Sequence, residues 1–261
     1  MSRVIRLCTI VAASVLVASA GSFGQNLLLN GGFESGTDTT ADNWSQFGNA
    51  TRETRAAMTG SYGLIEFGNW TGNTNYSAAY QDVPATAGQF FFATVYVATT
   101  NYDQIGSANS AFLKLEFYNV STNFLGSVPA ANPLTSASPV DTWILQTVAA
   151  TAPSNTAFVR TTLIFEQDNG QGGSAYFDNA SLQVVPELQI KSLSIVDGTN
   201  AVVGFDSLLG AVYQVDARDD MASGSWSVTT SNISGTGQTM QITNGIAPGQ
   251  QAQFYRLGAT Y

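Results

Sequence analysis

Extended segments with a two-residue period recur along this chain, separated by clusters of turn residues, and no window carries a sustained 3.6-residue period with helix caps. Phe90–Val97, Ala111–Tyr118, Trp143–Ala150, Phe158–Glu166 and Ser174–Val185 read as strands. Between them lie Pro84-Ala85-Thr86-Ala87-Gly88, the stretch 129–139, Ala152-Pro153-Ser154-Asn155 and Asp168-Asn169-Gly170-Gln171-Gly172-Gly173. Such strands bury alternate residues and turn the others away, and many short ones in succession build a sandwich or barrel. Composition agrees. Charged residues make only 10% of the 261, against about 25% in an ordinary globular chain. The polar surface is therefore Ser, Thr, Asn, Gln and Gly, and the helix formers Lys, Glu and Arg are scarce. With 44% hydrophobic and 11% aromatic residues, the core material argues against disorder.

The same composition excludes several functions. The chain has no His, which removes Ser-His-Asp and Cys-His catalysis and any His-ligated zinc or haem. Nine basic residues against eighteen acidic ones leave −9, with no basic cluster to neutralise phosphates, so nucleic acid is not an expected partner.

The N-terminus has the layout of a secretory signal peptide: Arg3 and Arg6, then an apolar stretch from Leu7 to Ala18, then the small-x-small site Ala18-Ser19-Ala20. The expected signal spans residues 1–24, with cleavage after Ala20 or after Gly24. The apolar stretch is short for a membrane span, and no later one is long enough, so no span is expected in the mature chain. The expected location is extracellular or at the cell surface. The single cysteine, Cys8, lies inside the expected signal at the very start of the apolar stretch, most of which follows it, so it is not expected to be a lipid acceptor. The mature chain would carry no disulfide and would rely on its core. Loss of two arginines and no acid takes the net charge from −9 to −11, which disfavours anionic partners.

Pro186-Glu187 marks a boundary. Short strands resume after it: Leu188–Val196, Ala201–Asp206, Tyr213–Ala217, Ser225–Thr230, Thr239–Ile242 and Gln253–Leu257. The expected organisation is a first β-domain over 25–185 and a smaller β-domain over 186–261.

The first domain opens with Asn26-Leu27-Leu28-Leu29-Asn30-Gly31-Gly32-Phe33-Glu34-Ser35-Gly36, followed by Trp44 and Thr59-Gly60-Ser61-Tyr62-Gly63-Leu64. Ala79-Tyr80-Gln81-Asp82-Val83-Pro84 and Gly88-Gln89-Phe90-Phe91-Phe92 come next. Asp141-Thr142-Trp143, Ala152-Pro153 and Ala175-Tyr176-Phe177-Asp178-Asn179-Ala180-Ser181-Leu182 complete the series. This order resembles the cellulose- and xylan-binding jelly-roll modules, carbohydrate-binding module families four, nine and twenty-two. The resemblance implies an all-β jelly-roll sandwich followed by a second, smaller sandwich-like domain. The C-terminal piece, through Tyr213-Gln214-Val215-Asp216, Trp226, Gly235-Thr236-Gly237 and Phe254-Tyr255-Arg256-Leu257, resembles a small β-module of secreted proteins from Verrucomicrobia-like bacteria.

Glu34, expected at the end of the first strand, and Asp178, in the last strand of the jelly roll, both follow a phenylalanine. Two such carboxylates brought together in apolar surroundings repel unless a cation lies between them, and a hard ion such as Ca²⁺ suits carboxylates and carbonyls. The resemblance implies a structural calcium held by the Glu34 and Asp178 side chains, with Gly32 and a residue near Ser61 through backbone carbonyls. The alternative is that both carboxylates only cap turns or accept backbone N–H bonds.

Alternation also sorts a candidate binding face. Phe92 and Tyr96 on one strand, Lys114, Glu116 and Tyr118 on the next, and Arg160 and Glu166 further on are expected to point away from the core. Trp70, Tyr76 and Tyr80 are expected to rim the same groove. A pyranose presents C–H groups on its faces and hydroxyls on its rim, so flat aromatics beside fixed polar groups match it; the implied ligand is a polysaccharide of the β-glucan or xylan class. Trp44, Trp143 and Trp226 read as core or domain-packing residues, and Arg52, Glu53 and Arg55 as a solvated strand face.

Glu116 and Glu166 on one face would satisfy the residue count of a glycosidase. Lys114 and Arg160 beside them favour two charged carboxylates, whereas a catalytic acid must hold its proton. The leading expectation is thus a non-catalytic carbohydrate-binding protein; a structural or adhesive surface scaffold and an ancillary glycoside hydrolase component are the alternatives.

Overall fold

The computed structural model describes residues 3–4, 25–185, 188–248, 250 and 252–261. The expected signal segment lies outside the described residues except for Arg3–Val4, a two-residue strand (β1) that pairs with Gly258 and Ala259. The chain divides into two compact units, one ending at Val185 and one continuing to Tyr261.

The larger unit is a jelly-roll sandwich. Its strands are β2 (Gly36–Thr37), β3 (Thr40–Ala41), β4 (Ser45–Phe47), β5 (Asn49–Glu53), β6 (Gly63–Phe67) and β7 (Asn75–Pro84), then β8 (Phe90–Ala98), β9 (Ser110–Tyr118), β10 (Phe124–Pro129), β11 (Ile144–Thr151), β12 (Phe158–Gln167) and β13 (Ser174–Val184). One five-stranded sheet runs β10-β9-β12-β7-β4 and the other β11-β8-β13-β6-β5, with β2 and β3 as a separate ribbon.

Period-two sequence explains the layering. Phe91, Ala93, Val95 and Val97 of β8 turn inward, as do Leu113, Leu115 and Phe117 of β9 and Val159, Leu163 and Phe165 of β12; all join one buried cluster. Each fully buried side chain of this size contributes about 1.5–3 kcal/mol over an exposed one. Phe33 and Trp44 fill the same core with ring centroids 5.2 Å apart. Trp143 is half-buried instead, against a small separate cluster of Ala56, Ile65, Ala98 and Tyr176.

Glutamines tie the core to the loops. Gln146 on β11 donates to the carbonyls of Ala111 and Asn132 and accepts from the Leu113 N–H at 2.8 Å. Gln81 on β7 exchanges two bonds with the Leu29 backbone, at 2.8 and 2.9 Å. Uncharged amides thus satisfy buried main chain, as a chain with so few ions requires.

The smaller unit has the sheet β14 (Ser192–Val196), β15 (Asn200–Asp206) and β18 (Thr239–Gly245), in that order. Its second sheet runs β1, β19 (Phe254–Thr260), β16 (Val212–Arg218) and β17 (Ser227–Ser234). Phe205 packs on Tyr213 at 5.0 Å, and the Tyr213 hydroxyl accepts the Leu208 N–H at 2.8 Å. Trp226 lies beneath the guanidinium groups of Arg256, 4.8 Å from the ring centroid, and Arg218, 5.4 Å away.

One buried acid of the jelly roll is left without partners. Glu66 on β6 shares the inward face with Leu64, is fully buried, and neither carboxylate oxygen has a hydrogen-bond partner among the described residues. Burial pushes its pKa well above the ordinary carboxylate value, with the nearby Ala79 and Phe165 N–H groups opposing the shift. A carboxyl raised in the folded state holds its proton there while the unfolded chain, near about 4.3, loses it. Its stabilising protonation is therefore complete below that pH and is lost as pH rises toward the folded value, at about 1.4 kcal/mol per unit. Thermal melts between about pH 5 and about pH 8 are expected to show Glu66→Gln with a flatter loss of Tm than the wild type, and a higher Tm at the alkaline end.

Candidate functional site

The outward face of β10-β9-β12-β7-β4 carries most of the residues singled out by alternation. Register sets them in rows across the strands. Tyr80 on β7 is level with Thr162 on β12 and Lys114 on β9; Asp82, Arg160 and Glu116 form the next row; Pro84, Phe158 and Tyr118 the one after, with Phe124 of β10. On the other side Ala78, Ile164 and Phe112 form an apolar row, and Tyr76, Glu166 and Ser110 the last. Successive outward rows are about 7 Å apart, two residues of strand rise.

Arg160 is the centre of this face. Its guanidinium makes a two-pronged bond to Asp82, Nε to Oδ1 at 2.7 Å and Nη2 to Oδ2 at 2.9 Å. It lies 3.8 Å from the Tyr80 ring centroid and 5.0 Å from that of Tyr118. The Asp82 bond raises the arginine's pKa further above its ordinary value, against burial. Tyr118 in turn stacks on Phe158, centroids 5.1 Å apart and planes within 9°, and meets Phe124 edge-on at 5.8 Å. Burial raises the Tyr118 phenol above its usual pKa. Beside this group, Glu116 takes the Lys114 ammonium at 2.9 Å through Oε1 and the Thr162 hydroxyl at 2.7 Å through Oε2. The result is a half-exposed surface of rings and locked polar groups in which each cation has its own anion.

Two expected members of the face lie elsewhere. Phe92 and Tyr96 belong to β8, in the other sheet, and point out from the opposite side of the sandwich; Phe92 is 2% exposed and Tyr96 half-buried. Alternation orders residues within a strand but does not say which sheet a strand joins. Trp70 is exposed, but it stands on the loop between β6 and β7, bonded to the end of β12. Glu116 and Glu166 do share the face. Glu116 is level with Arg160, six residues from Glu166 along β12, so they stand about 20 Å apart. Glycosidase pairs need about 5–9.5 Å, so these two do not form one.

The carboxylates Glu34 and Asp178 do converge. Asp178 sits on β13 at a one-residue bulge: it is level with Tyr96 of β8, whereas Ser181 is level with Thr94. Glu34 is not at a strand end; it lies in the irregular lead-in before β2 that follows β13 through Leu27 N–H to Leu182 O and Ala180 N–H to Gly31 O, both 2.8 Å. The loop after β5 folds over both acids. Asp178 accepts the N–H groups of Met58, Thr59 and Asn179 at 2.7–2.9 Å, and Glu34 those of Ser61 and Tyr62 at 3.0–3.2 Å. Gly60 (φ 67°) makes this turn, and any side chain there would collide with Glu34 Oε1. Burial raises the Asp178 pKa and the Glu34 charge adds to the rise, while the three N–H bonds oppose it. A Cβ placed on Gly32 would stand 3.7 Å from Asn179 Oδ1, 3.8 Å from Asp178 Oδ1 and 3.9 Å from Glu34 Cγ, so two side-chain oxygens and the Glu34 stem lie beside Gly32. Among the described residues no group of three or more His, Cys, Asp or Glu side chains gathers.

Arg52 departs from the solvated strand face expected of it. It is 5% exposed and turns toward the core edge. Its Nε donates to Phe33 O and Nη2 to Glu34 O, both at 2.6 Å, and Tyr62 covers the guanidinium at 3.3 Å. Phe33 has φ 58°, a conformation foreign to a bulky residue, and this clamp holds it there. A local charge pattern carries no sign of such a role, because the partners are backbone carbonyls eighteen or more residues away.

No protein-family model matches the chain, and no curated protein does. Solved structures similar to the chain include the CBM22-1 xylan-binding domain from Paenibacillus barcinonensis Xyn10C, at 16% identity over 64% of this chain and 98% of that one, TM-score 0.45. A family 16 carbohydrate binding module is similar at 19% identity over 60% of this chain and 99% of that one, TM-score 0.42. The enzymatically active domain of bacteriophage CBA120 tailspike protein 4 is similar at 16% identity over 61% of this chain, TM-score 0.42; the chain spans only 21% of its length.

The Arg52 clamp gives a direct test. Arg52→Met keeps the apolar stem but leaves two carbonyls without their donors, a loss of about 2–4 kcal/mol. Urea denaturation is expected to show the midpoint falling accordingly with the slope unchanged.

Proposed function

We propose that this is a secreted, non-catalytic carbohydrate-binding protein that holds a polysaccharide on the outward face of β10-β9-β12-β7-β4. The observation that carries the reading is the Tyr80–Arg160–Tyr118 group, locked by Asp82 and flanked by Lys114, Glu116 and Thr162. Rings on a rigid sheet offer the C–H face of a pyranose a flat partner at little entropic cost, and the fixed donors and acceptors beside them match the hydroxyl rim. The compensation of every cation on the face favours a neutral glycan over a uronate-rich one. A β-glucan or xylan chain meets that description. Secretion rests on the N-terminal signal layout.

A structural calcium belongs to the same reading. Glu34 and Asp178 supply two carboxylates, Gly32 lies beside them, and Asn179 Oδ1 lies beside Gly32 as well; an all-oxygen donor set suits Ca²⁺. Ser61 donates its N–H to Glu34, leaving its carbonyl as the expected ligand atom. Bound there, the ion would relieve the repulsion between the two acids and fix the loop over them.

Affinity gel electrophoresis of the full-length protein against xylan, mixed-linkage β-glucan and soluble cellulose derivatives tests the face. Retardation is expected in at least one gel, weakened about tenfold or more in Arg160→Ala and Tyr80→Ala at unchanged fold by circular dichroism. Retardation in none, or equal retardation of both variants, overturns the reading. For calcium, a hundredfold excess over Kd stabilises by about 2.7 kcal/mol, expected as a Tm rise of about 5–10 °C over an EDTA-treated sample. Glu34→Gln should abolish the rise; a wild-type Tm indifferent to both additions removes the ion.

A further inference from the structure

We propose a second saccharide site at the loop end of the jelly roll, built on Trp70 and separate from the sheet face; it rests on the glycan-binding reading above. Trp70 is 58% exposed, so its indole contributes little to the core. Its backbone nevertheless stands at φ 56°, a left-handed conformation that costs a side chain about 1–2 kcal/mol and that Gly or Asn would adopt more readily. Packing does not repay that strain. The backbone bond from Trp70 N–H to Gln167 holds the conformation, and its effect is to present the ring.

The ring is also held in place. The Trp70 N–H donates to Oε1 of Gln167 at 2.9 Å, and Gln167, fully buried at the end of β12, also receives Asn75 Nδ2 at 2.9 Å and donates to Gln171 O at 2.7 Å. Gly172 lies under the indole: a Cβ there would come to 3.5 Å of Trp70 Cη2, so this is ordinary contact. The Gly172 carbonyl is itself fixed by the Gly106 N–H at 2.8 Å and by Asn109 Nδ2 at 2.9 Å. Three loops, after β6, β8 and β12, are thereby bonded into one floor. Tyr102, 95% exposed, rises from the second of them.

The surroundings select the ligand class. On the loops after β6 and β12 that meet at Trp70 the exposed side chains include Thr71, Asn73, Thr74, Asn169 and Gln171, and the one carboxylate among them, the half-buried Asp168, takes the Thr74 hydroxyl at 3.0 Å and Asn169 Nδ2 at 3.2 Å. A protein interface would surround its anchor with further apolar surface at the core of the patch. An indole held among amides and hydroxyls, with only the Tyr102 ring beside it on the neighbouring loop, instead suits an amphipathic pyranose stacked on the indole and bonded at its rim. Two such sites on one domain would engage one polysaccharide twice, and the second contact would be intramolecular.

The test compares wild type, Trp70→Gly, Trp70→Phe and Tyr80→Ala, full length, on the polysaccharide that retards the wild type and on short oligosaccharides cut from it. Glycine relieves the left-handed strain, so Trp70→Gly is expected to melt at or above the wild-type temperature. It should still weaken polysaccharide retardation by about tenfold, with Trp70→Phe in between. Titration with short oligosaccharide should give two sites in the wild type and one in both Trp70→Gly and Tyr80→Ala. Wild-type binding by Trp70→Gly alongside loss in Tyr80→Ala overturns the second site and leaves the face reading intact. A wild type retarded by no glycan overturns both.

Discussion

Strand β12 is the member on which the jelly roll depends. It pairs with β7 from Phe158 to Gln167 on one side and with β9 from Phe158 to Glu166 on the other, and its side chains alternate between two faces. Val159, Thr161, Leu163, Phe165 and Gln167 enter the core, which commits Phe158, Arg160, Thr162, Ile164 and Glu166 to the opposite face. A slip by one residue would exchange the two sets and bury Arg160 and Glu166 without partners. The core and the candidate face are therefore one decision, made by hydrophobic burial and enforced by the register of ten paired residues.

What was legible in the sequence follows from that. β8, β9, β11, β12 and β13 are long and richly patterned, and their bounds in the structure differ from the sequence reading by a residue or two. The short strands β4 to β6 and β10 carry too few residues for a period to stand out. Which face a residue points to was readable; which sheet its strand joins was not, because sheet membership is fixed by long-range pairing. Phe92 and Tyr96 fell on the far side for that reason, while Tyr80, Lys114, Glu116, Tyr118 and Arg160 came together. Arg52 reads as solvated and Gln167 carries no signal, because the main-chain atoms that hold them, Phe33 O and Glu34 O for one and Trp70 N–H for the other, lie far away in sequence.

The scarcity of ions shapes the interior as much as the surface. Gln81, Gln146 and Gln167 do the work of buried polar junctions, each giving and accepting bonds on one amide. An amide joins two carbonyl- or N–H-bearing loops without the desolvation cost of a charge. Glu66 departs from that pattern: it is a buried acid whose two carboxylate oxygens have no hydrogen-bond partner among the described residues.

The pairing of Arg160 with Asp82 and of Lys114 with Glu116 has an environmental corollary. Where each cation is neutralised by an anion within a few ångströms, the pairs themselves project little field into solution, and mobile ions have little to screen there. Whatever settles on those rings does so by shape and by short-range bonding. Fresh water and brine should then differ little in how firmly those pairs hold the rings in place.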